Sequence, residues 1–173
     1  RGMGWRDAER EYVDAVIGDT PLGQLFEDAA ARNANRPAQQ YKGGVYERSL
    51  TESALPAATP DEFRPISYAE MRTIVRRLSA GFRTLGVERG DRIAIFSATR
   101  MEWAQTDFAL LSAGAVVTTV YTGSSPEQVH YLLDDPDADG VVVENQTLLE
   151  RVLAVEDDLD LEFLVSIDAL EGY

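Results

Sequence analysis

The stretch VYTGSSPEQ, from Val120 to Gln128, places one glycine and two serines between an apolar run and a segment of helical character. Such a loop could cradle a phosphate, because the N-terminus of a helix offers free N–H groups and the positive end of its dipole. The loop lacks the second glycine and the lysine of a GxxxxGK motif, and the chain contains no GxGxxG motif. Pro126 also removes one N–H donor. We therefore interpret Ser125 as a structural helix cap and not as a ligand contact.

Other residues whose side chains could take part in catalysis or binding also have simpler structural interpretations. His130 is the sole histidine, and without a serine nucleophile elbow we interpret it as a partly buried or surface side chain, not a general base. Asp134 and Asp135 precede Pro136 and are expected to end a helix. Arg100 could meet a phosphate, but an arginine in the first turn of a helix is more often solvated. Local chemistry alone therefore gives no catalytic constellation.

The composition limits the classes of protein that this chain can represent. Its 173 residues, 45% of them hydrophobic, suit one ordinary globular domain or a large piece of one. The absence of cysteine excludes disulfides, thiolate metal sites and cysteine nucleophiles. No apolar run approaches the roughly 20 residues that cross a bilayer, and no secretion leader is recognisable. We expect a cytoplasmic protein.

The charge is strongly acidic, with 30 acidic against 16 basic residues and a net charge of −14. Such a surface repels nucleic acid and anionic lipid, so we expect no nucleic-acid partner. The excess of carboxylates suggests a salt-rich cytoplasm. An acidic protein from a GC-rich genome is the alternative, and the preference for arginine over lysine fits it. Stabilisation by molar KCl would favour the first explanation.

Four short apolar runs alternate with helical segments, which predicts βαβ units on a parallel sheet. The predicted strands are Arg92–Ser97, Ala115–Tyr121, Gly140–Glu144 and Phe163–Ile167. Two loops, Ser97–Arg100 and Thr122–Ser125, follow such strands. Because open α/β sheets bind ligands beyond the carboxyl ends of their strands, these loops mark the expected position of a site.

Capping boxes predict where several helices begin, at Ser67, Thr99 and Ser125, and a further cap is predicted at Thr20, followed by Pro21. Three apolar stripes predict the buried helix faces. They comprise Leu22, Leu25, Phe26, Ala29 and Ala30; Met71, Val75, Leu78, Phe82 and Leu85; and Met101, Ala104, Phe108 and Leu111. Gly86 and Gly114 are expected to end the second and third of these helices.

The front of the chain differs from this pattern. Ala38–Ser49 predicts a hairpin that turns at Gly43-Gly44, and residues 50–64 predict an irregular surface loop. The predicted fold is therefore α/β, with parallel-sheet βαβ units and flanking helices preceded by an amino-terminal helix and a hairpin.

Three segments together resemble a known family. ISYAEM (Ile66 to Met71), LGVERGDRIAIF (Leu85 to Phe96) and LLSAGAVVTTVYTGSSPEQVHYLLDD (Leu110 to Asp135) are similar to the amino-terminal part of adenylate-forming enzymes. That superfamily contains acyl-CoA synthetases, luciferases and the adenylation domains of peptide synthetases. Within it, the segment from Arg100 to Asn145 most resembles the long-chain fatty acyl-CoA ligases.

The resemblance implies an AMP-forming ligase that uses ATP, Mg²⁺, coenzyme A and a fatty acid. It implies that residues 20–173 are the first part of the large amino-terminal domain, after an extension at residues 1–19. The family's phosphate loop, metal-binding glutamate and catalytic lysine lie beyond the matched part. No catalytic, cofactor-binding or metal-binding residue is therefore expected here, and the fragment alone should be inactive. Tyr121 and Thr122, at a strand's carboxyl end, are the candidates for facing the substrate cleft.

Two alternatives remain open at this point. One is another adenylate-forming enzyme, such as a medium-chain or aryl acid–CoA ligase or an adenylation domain. The other is a stand-alone α/β domain that binds a ligand or a partner. A piece of a larger sheet should expose apolar faces and an open strand edge and should self-associate, whereas a complete small domain should not. Association with a membrane surface is a further option for a ligase of this kind.

Overall fold

Helices and parallel strands alternate along most of the chain in the computed structural model, which describes residues 4–16, 18–43 and 59–172. The described elements are α1 (Trp5–Val16), α2 (Leu22–Arg32), β1 (Pro37–Lys42), β2 (Phe63–Ser67), α3 (Tyr68–Thr84), β3 (Arg92–Phe96), α4 (Met101–Ala113), β4 (Val116–Val120), α5 (Pro126–Asp134), β5 (Gly140–Val143), α6 (Gln146–Leu153), a 3₁₀ turn (Glu156–Asp158) and β6 (Phe163–Ser166). The predicted α/β alternation is confirmed.

The main sheet has the strand order β4-β3-β5-β6, and its neighbouring strands are parallel. Phe96 pairs with Val120 on one side and with Val143 on the other, so β3, β4 and β5 end at the same edge. All four residues of β5 are buried. The strands read as apolar runs because helices cover both faces of the sheet.

Successive side chains of β3 enter two different hydrophobic clusters. Ile93 and Ile95 pack with residues of α2, α3 and α4, whereas Ala94 and Phe96 pack with residues of α5 and α6. On the first face, the rings of Phe26 and Phe108 stack with their centroids 4.4 Å apart. The sheet is therefore the middle layer of three.

Two of the predicted helix starts are confirmed and two are wrong. Ser67 and Ser125 form complete capping boxes, the second with Pro126 in the first helical turn. Thr99 does not cap α4, since the N-cap is Arg100, whose backbone is extended and whose side chain is buried elsewhere. Thr20 does not cap α2 either, because the N-cap is Pro21 and no side chain bonds to the helix end.

The stripe predicted on α3 is only partly correct. Leu78 and Leu85 are 37% and 51% exposed, whereas Ser79, which was not part of the predicted stripe, is buried. The buried residues of α3 are Met71, Val75, Ser79 and Phe82. Their spacing of 4, 4 and 3 follows the 3.6-residue period of a straight helix, whereas the predicted alternation of 4 and 3 has a shorter period.

The other two predicted stripes also need correction. Leu22 is 60% exposed, although Phe26 and Ala30 of α2 are buried as expected. On α4, the predicted residues are only half-buried, since this helix contacts the sheet, α2, α3 and β1 and turns a different face inward. The residues of α4 that are fully buried are Gln105, Thr106, Ala109, Leu110 and Ala113. Gly86 and Gly114 do adopt the left-handed conformation expected at helix ends.

The front of the chain contains a strand pair that the sequence did not predict. β1 pairs antiparallel with β2, from Gln39 opposite Ile66 to Lys42 opposite Phe63. The predicted loop over residues 50–64 is therefore wrong at Phe63 and Arg64, which belong to a paired strand. The second strand of the predicted hairpin, together with Gly44, lies outside the described residues.

A charged cluster joins α2 to α3. Glu27 accepts hydrogen bonds from Arg72 Nε at 2.6 Å and from Arg76 Nε and Nη2 at 2.8 and 2.7 Å. The hydrogen bond from Arg76, followed by that from Arg72, outweighs burial and lowers the pKa of Glu27 below its ordinary 4.5. A carboxylate with a lowered pKa stabilises the folded state above its unfolded pKa, and this stabilisation is lost as the pH falls through the folded pKa.

Replacing Glu27 by glutamine should therefore lower stability in a pH-dependent way. We expect a loss of at most about 1 kcal/mol near pH 7, because the arginines keep solvent contact. The difference between wild type and Glu27→Gln should close as the pH falls below the lowered pKa. Urea unfolding from pH 7 to pH 3 measures it, and a difference independent of pH would contradict the assignment.

Candidate functional site at the carboxyl edge of the sheet

The carboxyl ends of the central strands bring two loops together. Ser97–Arg100 follows β3 and Tyr121–Ser125 follows β4, and the paired ends of these strands place both loops at one edge. Glu144 follows β5 directly, and its N–H donates to Phe96 O at 2.9 Å. This is the edge at which open parallel sheets bind ligands.

The loop after β4 is held in a tight turn. Ser124 N donates to Tyr121 O at 2.9 Å. Arg151 reaches across from α6, and its Nη1 donates to Thr122 O at 2.7 Å and to Ser124 O at 3.3 Å. The turn then passes into α5 through the capping box, in which Ser125 Oγ accepts from Gln128 N. Ser125 is therefore a helix cap, as predicted.

Tyr121 stands at the carboxyl end of β4 with 77% of its surface exposed. Its ring lies beside Gly123, where an added Cβ would come within 2.6 Å of Tyr121 Cε1. A side chain at position 123 would require this exposed ring to move. Thr122, the other predicted cleft residue, is half-buried in the same turn. The structure brings both candidates together at the expected edge.

Arg100 lies at the centre of a charged cluster that the sequence did not reveal. Its side chain is only 2% exposed, so the prediction of a solvated arginine is wrong. Its Nη2 and Nη1 donate to the two carboxylate oxygens of Asp168 at 2.8 and 3.3 Å, and its Nε donates to Glu102 at 3.1 Å. Glu144 Oε1 lies 3.6 Å from Nη1. We call these four residues the Arg100 cluster.

The electrostatics of the cluster keep the arginine charged. Burial by itself would lower the pKa of Arg100, but hydrogen bonds and charges from Asp168 and Glu102 raise it above its ordinary value. A buried guanidinium needs such partners, because an unpaired buried charge is very costly.

Glu144 links the cluster to the loop after β3. Its Oε2 accepts from the backbone N–H of Ala98 at 2.7 Å and from Ser97 Oγ at 3.2 Å. Through Asp168, Arg100 also holds the segment that follows β6, where Asp168 N donates to Glu144 O at 2.9 Å. The ends of three strands are therefore tied together. A sequence signal was present, since Glu144 is the last residue of the predicted strand Gly140–Glu144, but nothing in it identified Arg100 as the partner.

The remaining candidates match their simpler interpretations. His130 is half-buried on α5, and α5 ends at Asp134 with Asp135 as its C-cap. No group of three or more His, Asp or Glu residues that could hold a metal ion occurs within the described ranges. No helix in the described part of the chain is long and apolar enough to cross a membrane. The strand ends and the Arg100 cluster therefore hold the two loops at this edge.

Comparison with protein families gives a match to the AMP-binding enzyme model over residues 26–171. The long-chain-fatty-acid–CoA ligase FadD15 of Mycobacterium bovis is 48% identical over 73 residues, which are 42% of this chain and 12% of that protein. The long-chain-fatty-acid–CoA ligase ACSBG1 of Bos taurus is 34% identical over 149 residues, 84% of this chain and 18% of that protein. The chain therefore spans less than a fifth of the length of either relative.

Solved structures share the fold at low sequence identity. A long-chain-fatty-acid–CoA ligase from Archaeoglobus fulgidus gives a TM-score of 0.68 at 17% identity, covering 85% of this chain and 27% of that one. A structure described as a putative long-chain-fatty-acid CoA ligase from Rhodopseudomonas palustris gives 0.69 at 20% identity, covering 90% and 35%. The α/β arrangement thus matches the amino-terminal region of acyl-CoA ligases.

Proposed function

Because the chain belongs to the AMP-binding enzyme family, whose model matches residues 26–171, we propose that it is the amino-terminal part of a long-chain fatty-acid–CoA ligase. The observation that carries this proposal is the identity of 48% to a long-chain ligase over 73 residues. A second relative, which matches 84% of the chain, is also a long-chain-fatty-acid–CoA ligase. These relatives favour a long-chain acid over the medium-chain, aryl and amino acid alternatives.

The reaction has two steps in the intact ligase. The carboxylate of the fatty acid attacks the α-phosphate of ATP and releases pyrophosphate, and the thiol of coenzyme A then displaces AMP to give acyl-CoA. The described residues contain no lysine-bearing phosphate loop and no group of three or more His, Asp or Glu residues that could hold a metal ion, and we propose that the chemical steps belong to the rest of the ligase. The role of the described residues is to position the loops after β3 and β4 at the cleft.

Isotope exchange between pyrophosphate and ATP tests the first step. We expect an intact ligase containing this chain to catalyse exchange that depends on a long-chain fatty acid, whereas the 173-residue chain alone should give none. Exchange that depends on an amino acid instead would contradict the proposal for the intact protein. Exchange by the isolated chain would contradict the assignment of the chemistry to the rest of the ligase.

Replacing Tyr121 or Thr122 by alanine tests whether the turn after β4 faces the cleft. In the intact ligase we expect either change to alter kcat/KM severalfold or to change the preferred chain length, because both residues lie where strands of this sheet end. Tyr131→Ala is the matched control, since Tyr131 is 62% exposed on α5, more than one helical turn beyond the cap at Ser125. Kinetics unchanged from wild type in both Tyr121→Ala and Thr122→Ala would remove these residues from the cleft.

A further inference from the structure

The outer side of β4 is an open strand edge in the described part of the chain. β4 is the terminal strand of the sheet, and Val116 N donates inward to Asp91 O at 2.7 Å. Because backbone groups alternate in direction along a strand, Val117 and Thr119 direct their N–H and C=O groups outward. β4 has no proline, no charged residue and no bulge against β3, which are the usual protections of a natural edge.

An apolar groove runs beside this edge, between α2, α4 and β4. Its lining includes Leu22, Trp103, Leu111, Val117 and Thr119. Leu22 is 60% exposed, and Val116 at the strand edge is 51% exposed. Apolar side chains of this size, next to unpaired strand groups, are the features that an added β-strand uses for docking.

Asp107 adds a half-buried carboxyl group to the lining of the groove. Its carboxyl group lies on α4 among the lining residues, and burial raises its pKa with no opposing influence from the described residues. Arg83 also borders the groove, but its Nη2 donates to Ser112 O and Ala113 O at 3.3 and 3.4 Å. A half-buried carboxyl group of this kind is best satisfied by a donor that arrives with the occupant of the groove.

We propose that an extended segment from the remainder of the intact ligase pairs with the outer side of β4 and fills this groove, with apolar side chains against Leu111 and Val117 and a hydrogen-bond donor facing Asp107. The occupant belongs to the same polypeptide because relatives are several times longer than this chain, which spans 12% to 18% of their length. A tethered segment also docks at a high effective concentration. The proposal goes beyond the proposed reaction and does not depend on which acid is activated.

Photo-crosslinking in the intact ligase tests the proposal. The probe is p-benzoyl-phenylalanine at position 119, on the groove face of β4, or, in a second variant, at position 116, at the same strand edge but on the other face; both positions are exposed. Position 131 on α5, on the face of the sheet opposite to position 119 and away from the groove, carries the same probe as a control. We expect positions 116 and 119 to crosslink within one molecule to a single peptide that follows Tyr173, with a yield unchanged on tenfold dilution. Position 131 should not label that peptide.

Three results would overturn the proposal. A crosslinked dimer whose yield falls on dilution would identify the groove as a contact between two copies of the chain. Crosslinks confined to residues 1–173, or no protein adduct at positions 116 and 119, would show that no later segment covers the edge. Pyrophosphate exchange measured on the same samples reports the proposed function separately, because crosslinking requires no turnover.

Discussion

Replacing Arg100 by methionine should lower the free energy of unfolding by about 3 kcal/mol, the low end of the range for breaking a buried ion pair. The substitution preserves a flexible apolar stem but leaves three carboxylates, of Glu102, Glu144 and Asp168, without their shared cation. Their side chains are 17%, 20% and 33% exposed, so solvent relieves only part of the cost. Urea or thermal unfolding monitored by circular dichroism measures the change.

Two other substitutions separate the causes of this loss. Arg100→Lys keeps the charge, but a lysine cannot form bidentate hydrogen bonds with Asp168 and also reach Glu102. We therefore expect Arg100→Lys to lose about half as much stability as Arg100→Met. Arg77→Met is the matched control on exposed α3 surface and should change stability by less than about 0.5 kcal/mol. Equal stability of Arg100→Met and wild type would show that the cluster does not hold the strand ends together.

Replacing Gly23 by alanine should destabilise the protein by about 1–3 kcal/mol, although alanine is the better helix former. Gly23 of α2 lies directly against the backbone of α4. A Cβ at this position would come within 2.7 Å of Ser112 Cα, 2.8 Å of Leu111 O and 2.9 Å of Ser112 N. Backbone atoms cannot rotate out of the way, so the two helices must move apart and lose packing around Phe26.

Gly81 provides the matched control for that prediction. It is also a helical glycine, on α3, but a Cβ there would meet nothing within 4 Å. Gly81→Ala should therefore stabilise the protein by roughly 0.5–1 kcal/mol, the ordinary gain of alanine over glycine in a helix. Thermal unfolding of both variants gives the comparison. A shift of the same sign in both would contradict the close contact between α2 and α4.

Local patterns in the sequence predicted the elements that depend on near neighbours. The four strands were recognisable because each is an apolar run between turn signals, and the caps at Ser67 and Ser125 were recognisable because each box closes within four residues. The buried row of α3 was predicted less well, since Ser79 replaces Leu78 in it. Which face of a helix is covered depends on its partners, and these are distant in the sequence.

The Arg100 cluster shows why the candidate site was predicted only in outline. Its position at the carboxyl edge followed from the βαβ order, and Tyr121 and Thr122 lie at that edge as expected. Arg100 and Asp168 are 68 residues apart, so no local pattern joins them. The sequence likewise does not distinguish Gly23 from Gly81. The contact between Gly23 and α4 joins residues that are distant in the sequence and is visible only in the structure.

Analysis of the products formed by an intact ligase that contains this chain tests the central claim most directly. The enzyme would receive ATP, Mg²⁺ and coenzyme A with an equimolar mixture of palmitate, octanoate and benzoate, and the thioesters would be quantified by mass spectrometry. We predict palmitoyl-CoA as the main product, with one AMP released per thioester. Benzoyl-CoA as the main product, or AMP formation without any thioester, would contradict the assignment of the chain to a long-chain fatty-acid–CoA ligase.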